Sequence, residues 1–367
     1  MPPSGLILGL TQAGNPHTKG LIAMIRNKPQ VSISNLPGRH RTRKIMCVTC
    51  LRSAFGSIAL TSLFFGIALA SETDQFFERS QPLTDSTVVF NQKINETLEE
   101  IIVSNGKKHD QQAIVDELYR RLGGPFLEDK IERWAINSPL VDKRMISRGD
   151  SIYAGLPFWS TRAIMIVGIG ATVRINEQLI GTDKISHFIS LGRKFYRRYL
   201  RTGSEEAAIR RSLFTERAIF GSGSTGSFSN ADLVANYEGY LFLRSLFDAD
   251  VVADKPSILR WETDGWVMQR KFDWADHVNE YWDEALNVNE YDSLMYQHMR
   301  KKMVNLCPQY WENPSSYTIE NEEKLAERYA HLQLHNSQHM RLDSLCPAQA
   351  LRESESLIAA AEISTAR

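Results

Sequence analysis

The side chains with the best prospect of doing chemistry lie in one stretch of the chain, from Asp183 to Gly239. Asp183 and His187 stand four residues apart. On a helix that spacing puts both on one side, where a carboxylate and an imidazole can reach one ion or one proton. Asp183 would equally complement a helix dipole in a first turn, with His187 as its surface partner. Further on, Glu216 interrupts the apolar stripe of Ile209, Leu213 and Phe220. Asp232 and Asn236 fall on the stripe made by Ala235, Gly239, Phe242, Leu243, Leu246 and Phe247. Polar groups on core faces need partners, and the simplest arrangement lets these three meet. Ser229-x-x-Asp232 also fits a capping box, and Glu216 with Asn236 a structural hydrogen-bond network. In a catalytic reading Glu216 or Asp232 is the base and His187 a ligand or acid. Asp183, His187, Glu216 and Asp232 are then the candidate metal ligands, and a divalent metal is the cofactor they would take.

Helices must position these groups. Thr182 reads as the N-cap of a helix over 183–200 with Ile185, Phe188, Ile189, Gly192, Phe195, Tyr196 and Tyr199 on its apolar face. Asp183 and His187 lie opposite that face, so His187 joins a cluster only if the helix is covered on both sides. Helices over 204–220 and 230–247 follow, joined by a Gly/Ser-rich loop. A short connection favours antiparallel packing, which brings Glu216 toward Asp232 and Asn236. Earlier helices are expected over 88–103, 110–122 and 127–136, the second ended by Gly123-Gly124. Residues 163–180 are β-branched and Gly-punctuated, with Asn176-Glu177 as a turn, and read as a hairpin. Residues 256–269 read as a loop or short hairpin, and 273–286 and 322–334 as helices. The fold class is mainly α, a compact multi-helix domain with a small β-hairpin near 163–180. It occupies 71–345, as one domain or as two packed subdomains over 71–250 and 251–345, with a C-terminal tail over 346–367.

The run Asp183-Lys-x-x-His187-Phe, then Glu216, then Phe228-Ser-x-x-Asp232-Leu-x-Ala-Asn236-x-x-Gly239, resembles a pattern of VanZ-like proteins and of small exported proteins of Gram-negative bacteria. More broadly, 181–245 and 261–286 resemble a group of exported proteobacterial proteins without an assigned function. The VanZ-like match covers under a fifth of the chain, which lacks that family's several transmembrane helices, so no membrane role carries over. The resemblance implies that Asp183, His187, Glu216, Asp232 and Asn236 belong together. It supplies no reaction.

Export is the firmest reading. Residues 53–71 carry no charge, five basic residues between Arg39 and Arg52 precede them, and Ala68-Leu69-Ala70 offers a cleavage site. The alternative is an uncleaved inner-membrane anchor over 53–71, which the small and polar residues within it weaken. Residues 46–70 then form a signal peptide starting at Met46. Residues 1–45 are either an extension ahead of the true start or a disordered cytoplasmic tail. Cys47 and Cys50 would leave with the signal. The two remaining cysteines, Cys307 and Cys346, read as one disulfide in an oxidising compartment or as two separate buried thiols. The protein is accordingly expected in the periplasm or secreted.

Other features carry less. Lys+Arg and Asp+Glu both number 43, so net charge points to no nucleic-acid partner. Arg193, Lys194, Arg197, Arg198 and Arg201 could hold an envelope lipid or glycan, or form a solvated face. Trp261, Trp266, Trp274 and Trp282 read mostly as core, with sugar stacking as the minor alternative. His331, His335 and His339 recur every four residues, but the Glu of a His-Glu-x-x-His site is missing, and a helix flank is favoured. Gly168-x-Gly170 lacks the third glycine of a nucleotide fingerprint, and no Gly-x-Ser-x-Gly elbow occurs. Two functions remain open. One is a non-catalytic envelope protein with a structural or ligand-binding polar cluster. The other is a metal-dependent or acid/base hydrolase acting on an envelope component.

Overall fold

The computed structural model describes residues 72–124, 128–157, 168–215 and 226–347. The extension over 1–45, the export segment over 46–70 and the tail beyond 347 lie outside these residues. Among the described residues no helix is long and apolar enough to cross a membrane.

The fold is mainly helical, as periodicity predicts. Helix α1 (Thr87–Asn105) buries Phe90, Ile94, Leu98 and Ile101, and α2 (Gln111–Leu122) buries Ile114, Val115, Leu118 and Leu122. Asp110 caps α2 by accepting from the Ala113 N–H at 3.0 Å. Helix α3 (Lys130–Asn137) follows. The expected hairpin is β2 (Thr172–Ile175) against β3 (Gln178–Gly181), with Asn176 and Glu177 at positive φ in its turn. A two-residue strand, β1 (Lys143–Arg144), extends it to three strands.

The strand β3 feeds directly into the helix that carries Asp183 and His187. That helix is not uniform. It begins as α4 (Thr182–Ser186), widens to a π-helical turn over His187–Leu191, and resumes as α5 (Gly192–Thr202). The Gly192 N–H reaches back five residues to the His187 carbonyl, the hydrogen-bond spacing of a π turn. Gly203, at φ 64°, stops α5 in the left-handed conformation that glycine tolerates. Helix α6 (Glu205–Thr215), the two-residue strand β4 (Ser227–Phe228) and helix α7 (Asn230–Ser245) complete the group around the site.

Helix α7 has no solvent face over most of its length: Leu233, Val234, Ala235, Asn236, Tyr237, Glu238, Gly239 and Tyr240 are all buried. Its contact with the π turn is very close. A Cβ at Gly239 would sit 1.9 Å from the Phe188 carbonyl oxygen, and one at Gly192 would sit 2.7 Å from Gly239 backbone atoms. These two glycines let the helices approach, and that approach sets the site.

The main core runs from Phe90 to Leu332 and joins residues on both sides of 250. A smaller cluster gathers Phe76, Tyr153, Met295, Met299, Met303 and Leu342 around Cys307 and Cys346. Those cysteines are disulfide-bonded, with Cα atoms 5.3 Å apart, and pin α9 (Cys307–Glu312), which follows α8 (Ser293–Val304), to the end of the described chain.

Two expectations need correction. Residues 273–286 form no α-helix, only 3₁₀ turns over Trp274–Asp276 and Glu280–Trp282. Asp273 and Asn279 each accept a hydrogen bond from the N–H two residues on, and such local bonds compete with helix propagation. Trp274, Val278, Trp282 and Ala285 are still core. The hairpin alternative for 256–269 is met by β5 (Leu259–Glu262) and β6 (Gly265–Met268). The helix over 322–334 is α10 (Glu322–Tyr329), ending in a 3₁₀ turn and a left-handed Gln333, so the regular spacing of the three histidines is broken. His331 packs on Tyr237, 4.6 Å between ring centroids.

Candidate functional site

Asp183, His187 and Asp232 converge, with one ligating atom of each within 4.8 Å of the others, a set that could hold a metal ion. Asn236 joins them: its Oδ1 lies 3.0 Å from His187 Nδ1. Glu216 lies outside the described residues. The helix of Asp183 and His187 is covered on both sides, which meets the condition for His187 to take part. Ile185 and Phe188 face the main core, while Asp183 and His187 are 2% and 3% exposed against α7. Asp232 is the most open member, its side chain 16% exposed.

The centre of the cluster is a residue that sequence reasoning passed over. Lys184 has no solvent exposure, and its Nζ lies 2.7 Å from Asp183 Oδ2, 2.5 Å from Asp232 Oδ1 and 2.7 Å from Glu284 Oε1. A Lys next to an Asp in sequence reads as helix surface. Only closure by α7 and by the segment after the second 3₁₀ turn puts it inside. Glu284 arrives from that segment, where no motif marks it. Ser229 ties it in, donating to Glu284 Oε1 at 2.8 Å and accepting from the Asp232 N–H at 3.1 Å. The helix-capping half of the predicted box is therefore present, while the Asp232 carboxyl also engages Lys184 and His187.

The start of the described chain also enters the site. Glu72, Thr73, Asp74 and Gln75 form a polar run, yet all are buried. Thr73 donates to Asp183 Oδ1 at 3.3 Å, and Ser227 donates to Glu72 Oε1 at 3.3 Å. Gly181 makes room for this, since a Cβ there would lie 2.2 Å from Thr73 Oγ1 and 2.3 Å from Asp183 Oδ1.

Burial raises the Asp183 carboxyl well above the ordinary carboxylate range, against the pull of Lys184. Burial alone would depress Lys184, but Asp183, Asp232 and Glu284 outweigh it and hold the ammonium charged. Burial lowers His187 below the usual imidazole value, and the neighbouring Lys184 works in the same direction. The His187 ring, enclosed beside an ammonium, is neutral, and the Lys184 ammonium holds Asp232 below the ordinary carboxylate value despite burial.

The neutral ring has a defined tautomer. A carbonyl oxygen only accepts, so Nδ1 donates to Asn236 Oδ1 and Nε2 keeps its lone pair. That lone pair lies 3.3 Å from Asp232 Oδ2. Asp232 Oδ1 is held by the Lys184 ammonium at 2.5 Å.

Two further buried polar groups were not legible. Glu238 on α7 accepts from Tyr329 at 2.7 Å and Arg328 at 2.6 Å and lies 3.0 Å from His277 Nδ1, a network that joins α7 to α10. Asp129 accepts from Ser190 at 2.6 Å beside the π turn, and burial pushes it up to about 7. Of the basic face, Arg193 is already engaged, paired with Asp116 at 2.5 Å and stacked over Tyr119. Compared with known proteins, the chain matches no family model, no curated protein and no solved structure.

Proposed function

We propose that the chain is an exported protein of the cell envelope whose buried centre binds a divalent cation through Asp183, His187 and Asp232. One observation carries the reading. Three enclosed carboxylates, Asp183, Asp232 and Glu284, face a single ammonium, and two acceptor atoms, His187 Nε2 and Asp232 Oδ2, face each other at 3.3 Å. Such a pair needs a proton or a cation between its members, and the carboxylates of Asp183 and Asp232 beside it supply the oxygen ligands a cation takes. The donor set of one imidazole and two carboxylates suits zinc or manganese. The Nδ1–H of His187 held by Asn236 is how metal-ligating imidazoles are usually oriented. Lys184 would stay beside the ion as a fixed counter-charge for Glu284. Export is supported by the uncharged run ending at Ala70 and by the disulfide, which suits an oxidising compartment.

The test is metal analysis of protein purified without chelator, followed by calorimetric titration of the stripped protein with Zn²⁺, Mn²⁺, Mg²⁺ and Ca²⁺. We expect one equivalent bound, and its loss in the His187→Gln, Asp232→Asn double variant. Stoichiometric protein with no metal and no titration heat would reject the reading. A second reading, an acid/base hydrolase acting on an envelope component, draws on the opposite shifts of Asp183 and Asp232. One carboxyl kept protonated beside one kept ionised is the arrangement acid/base catalysis uses. Turnover of peptidoglycan fragments by chelator-treated protein would favour it.

A further inference from the structure

Away from the polar centre, charge is segregated on α5 and α6. Lys+Arg and Asp+Glu balance over the whole chain at 43 each, yet residues 192–215 hold seven basic residues and two acidic ones. Only Gly203 and Ser204 join the two helices, which pack on each other. On α5 the buried residues are Gly192, Phe195 and Tyr196. Lys194, Arg197, Arg198 and Arg201 recur at three- and four-residue steps on the other side, where Lys194, Arg197 and Arg201 are exposed. On α6 Ala208, Ile209, Ser212 and Leu213 are buried, while Arg210, Arg211 and Phe214 are exposed.

The acidic residues do little to neutralise this face. Glu205 is turned to α7, where it accepts from Tyr237 at 2.8 Å and from Tyr240 at 3.2 Å. Glu206 is matched by Arg210 at 2.7 Å. Among the described residues neither Arg197 nor Arg201 has an ion-pair partner. Two large apolar side chains stand among the cations. Leu200, one turn from Arg197, is 51% exposed, and Phe214, one turn from Arg210 and Arg211, is 52% exposed. The Arg211 guanidinium lies 5.0 Å from the centre of the Phe214 ring.

We propose that the outer face of α5 and α6 docks the protein on an anionic phospholipid bilayer, with its arginines at the headgroup phosphates and Leu200 and Phe214 at the edge of the acyl region. Charge complementarity sets the sign of the partner, and the apolar pair sets its kind. A soluble anionic glycan would satisfy the arginines but offer Leu200 and Phe214 no apolar phase, whereas a bilayer surface offers both. Long basic side chains suit that boundary, since their stems lie along apolar surface while their heads stay in water. The contact is peripheral, because among the described residues no helix is long and apolar enough to cross a membrane. It is also separate from the metal reading, since none of the metal-set residues lies within 192–215.

The test is co-sedimentation of the full-length protein with vesicles of phosphatidylcholine alone and with about 30% phosphatidylglycerol added. A retained apolar run over 53–71 would hold the chain to both kinds alike, so the readout is the ratio of the two partition coefficients. Each basic residue near an anionic surface strengthens binding about fivefold, so we expect a preference of at least about 25-fold for the anionic vesicles at low salt. In about 1 M salt, where the Debye length falls to about 3 Å, the preference should vanish. Arg197→Glu with Arg201→Glu should abolish it at low salt, and Arg201→Gln alone, lowering it about fivefold, serves if that pair does not fold. Leu200→Ser with Phe214→Ser should weaken partition onto anionic vesicles roughly tenfold, a loss that binding through charge alone would not show. Equal partition onto both vesicles, partition onto anionic vesicles unchanged in a folded variant, or salt-sensitive binding to dextran sulfate with none to vesicles would each overturn the proposal.

Discussion

Replacing Lys184 by Met removes the ammonium that Asp183, Asp232 and Glu284 share and keeps most of the side-chain volume. At an effective dielectric of 20, each contact of about 2.6 Å is worth roughly 6 kcal/mol of attraction. Repulsion among the carboxylates and the desolvation of the ammonium offset most of the sum. Removing one partner of a buried pair then destabilises by about 3–5 kcal/mol. For a domain of about 275 residues that lowers Tm by roughly 5–9 °C. The pH dependence has a definite sign. Without the ammonium, whose charge lowers both, the buried Asp183 and Asp232 hold protons more tightly when folded than when unfolded. A folded pKa raised above the unfolded one favours the fold at low pH and loses that advantage as pH rises through it. The deficit of Lys184→Met is therefore smallest near pH 5 and largest near pH 8. Thermal unfolding followed by circular dichroism at both pH values, with chelator present, measures it. Added divalent cation should recover part of the loss at pH 8 if the centre binds metal. A drop under about 2 °C, or one that is equal at both pH values, would refute the electrostatic account of the cluster.

Other outcomes follow from the same geometry. Gly239→Ala should destabilise by at least about 3 kcal/mol in urea, because its Cβ would meet the Phe188 backbone at 1.9 Å and backbone atoms cannot yield. Gly203→Ala, in open space at φ 64°, should cost only about 1–2 kcal/mol. Opening the Cys307–Cys346 bond, which closes a separation of 39 residues, should lower stability by up to about 4 kcal/mol in the chain-entropy model. Thiol titration of unfolded, unreduced protein should find neither cysteine of that pair free. Asp129, pushed up to about 7, makes the native protein lose stability as pH rises from about 4 to 7, so Asp129→Asn should gain on the native chain across that window and hold its advantage above it. Equal Tm differences at pH 4.5 and 7.5 would contradict this.

Local pattern carried much of the architecture. Apolar residues at helical spacing located α1, α2 and α7, and Asn176-Glu177 located the β2–β3 turn. Each of these follows from steric and burial rules that act over a few residues, which a single sequence contains. Of the two readings the sequence left open for Cys307 and Cys346, a disulfide or two separate thiols, the structure shows the disulfide. That Asp232 and Asn236 need polar partners was also legible, because polar groups among apolar neighbours must find them, and Asp183 and His187 are among those they meet.

The rest was decided only by tertiary structure. The wheel placed His187 opposite the apolar face of its helix, and nothing local says that this second face is also covered. Helix α7, buried around most of its circumference, has no polar side from which Glu238 would stand out. The α-helix expected over 273–286 gave way to two 3₁₀ turns because short side chains capped them locally. Above all, Lys184 and Glu284 are 100 positions apart and meet at 2.7 Å. A charged residue carries no mark in sequence of whether water or carboxylates will surround it. That depends on how closely Gly192 and Gly239 let two helices approach and on where the segment beyond Trp282 returns, contacts between residues far apart in the chain that only the closed core determines.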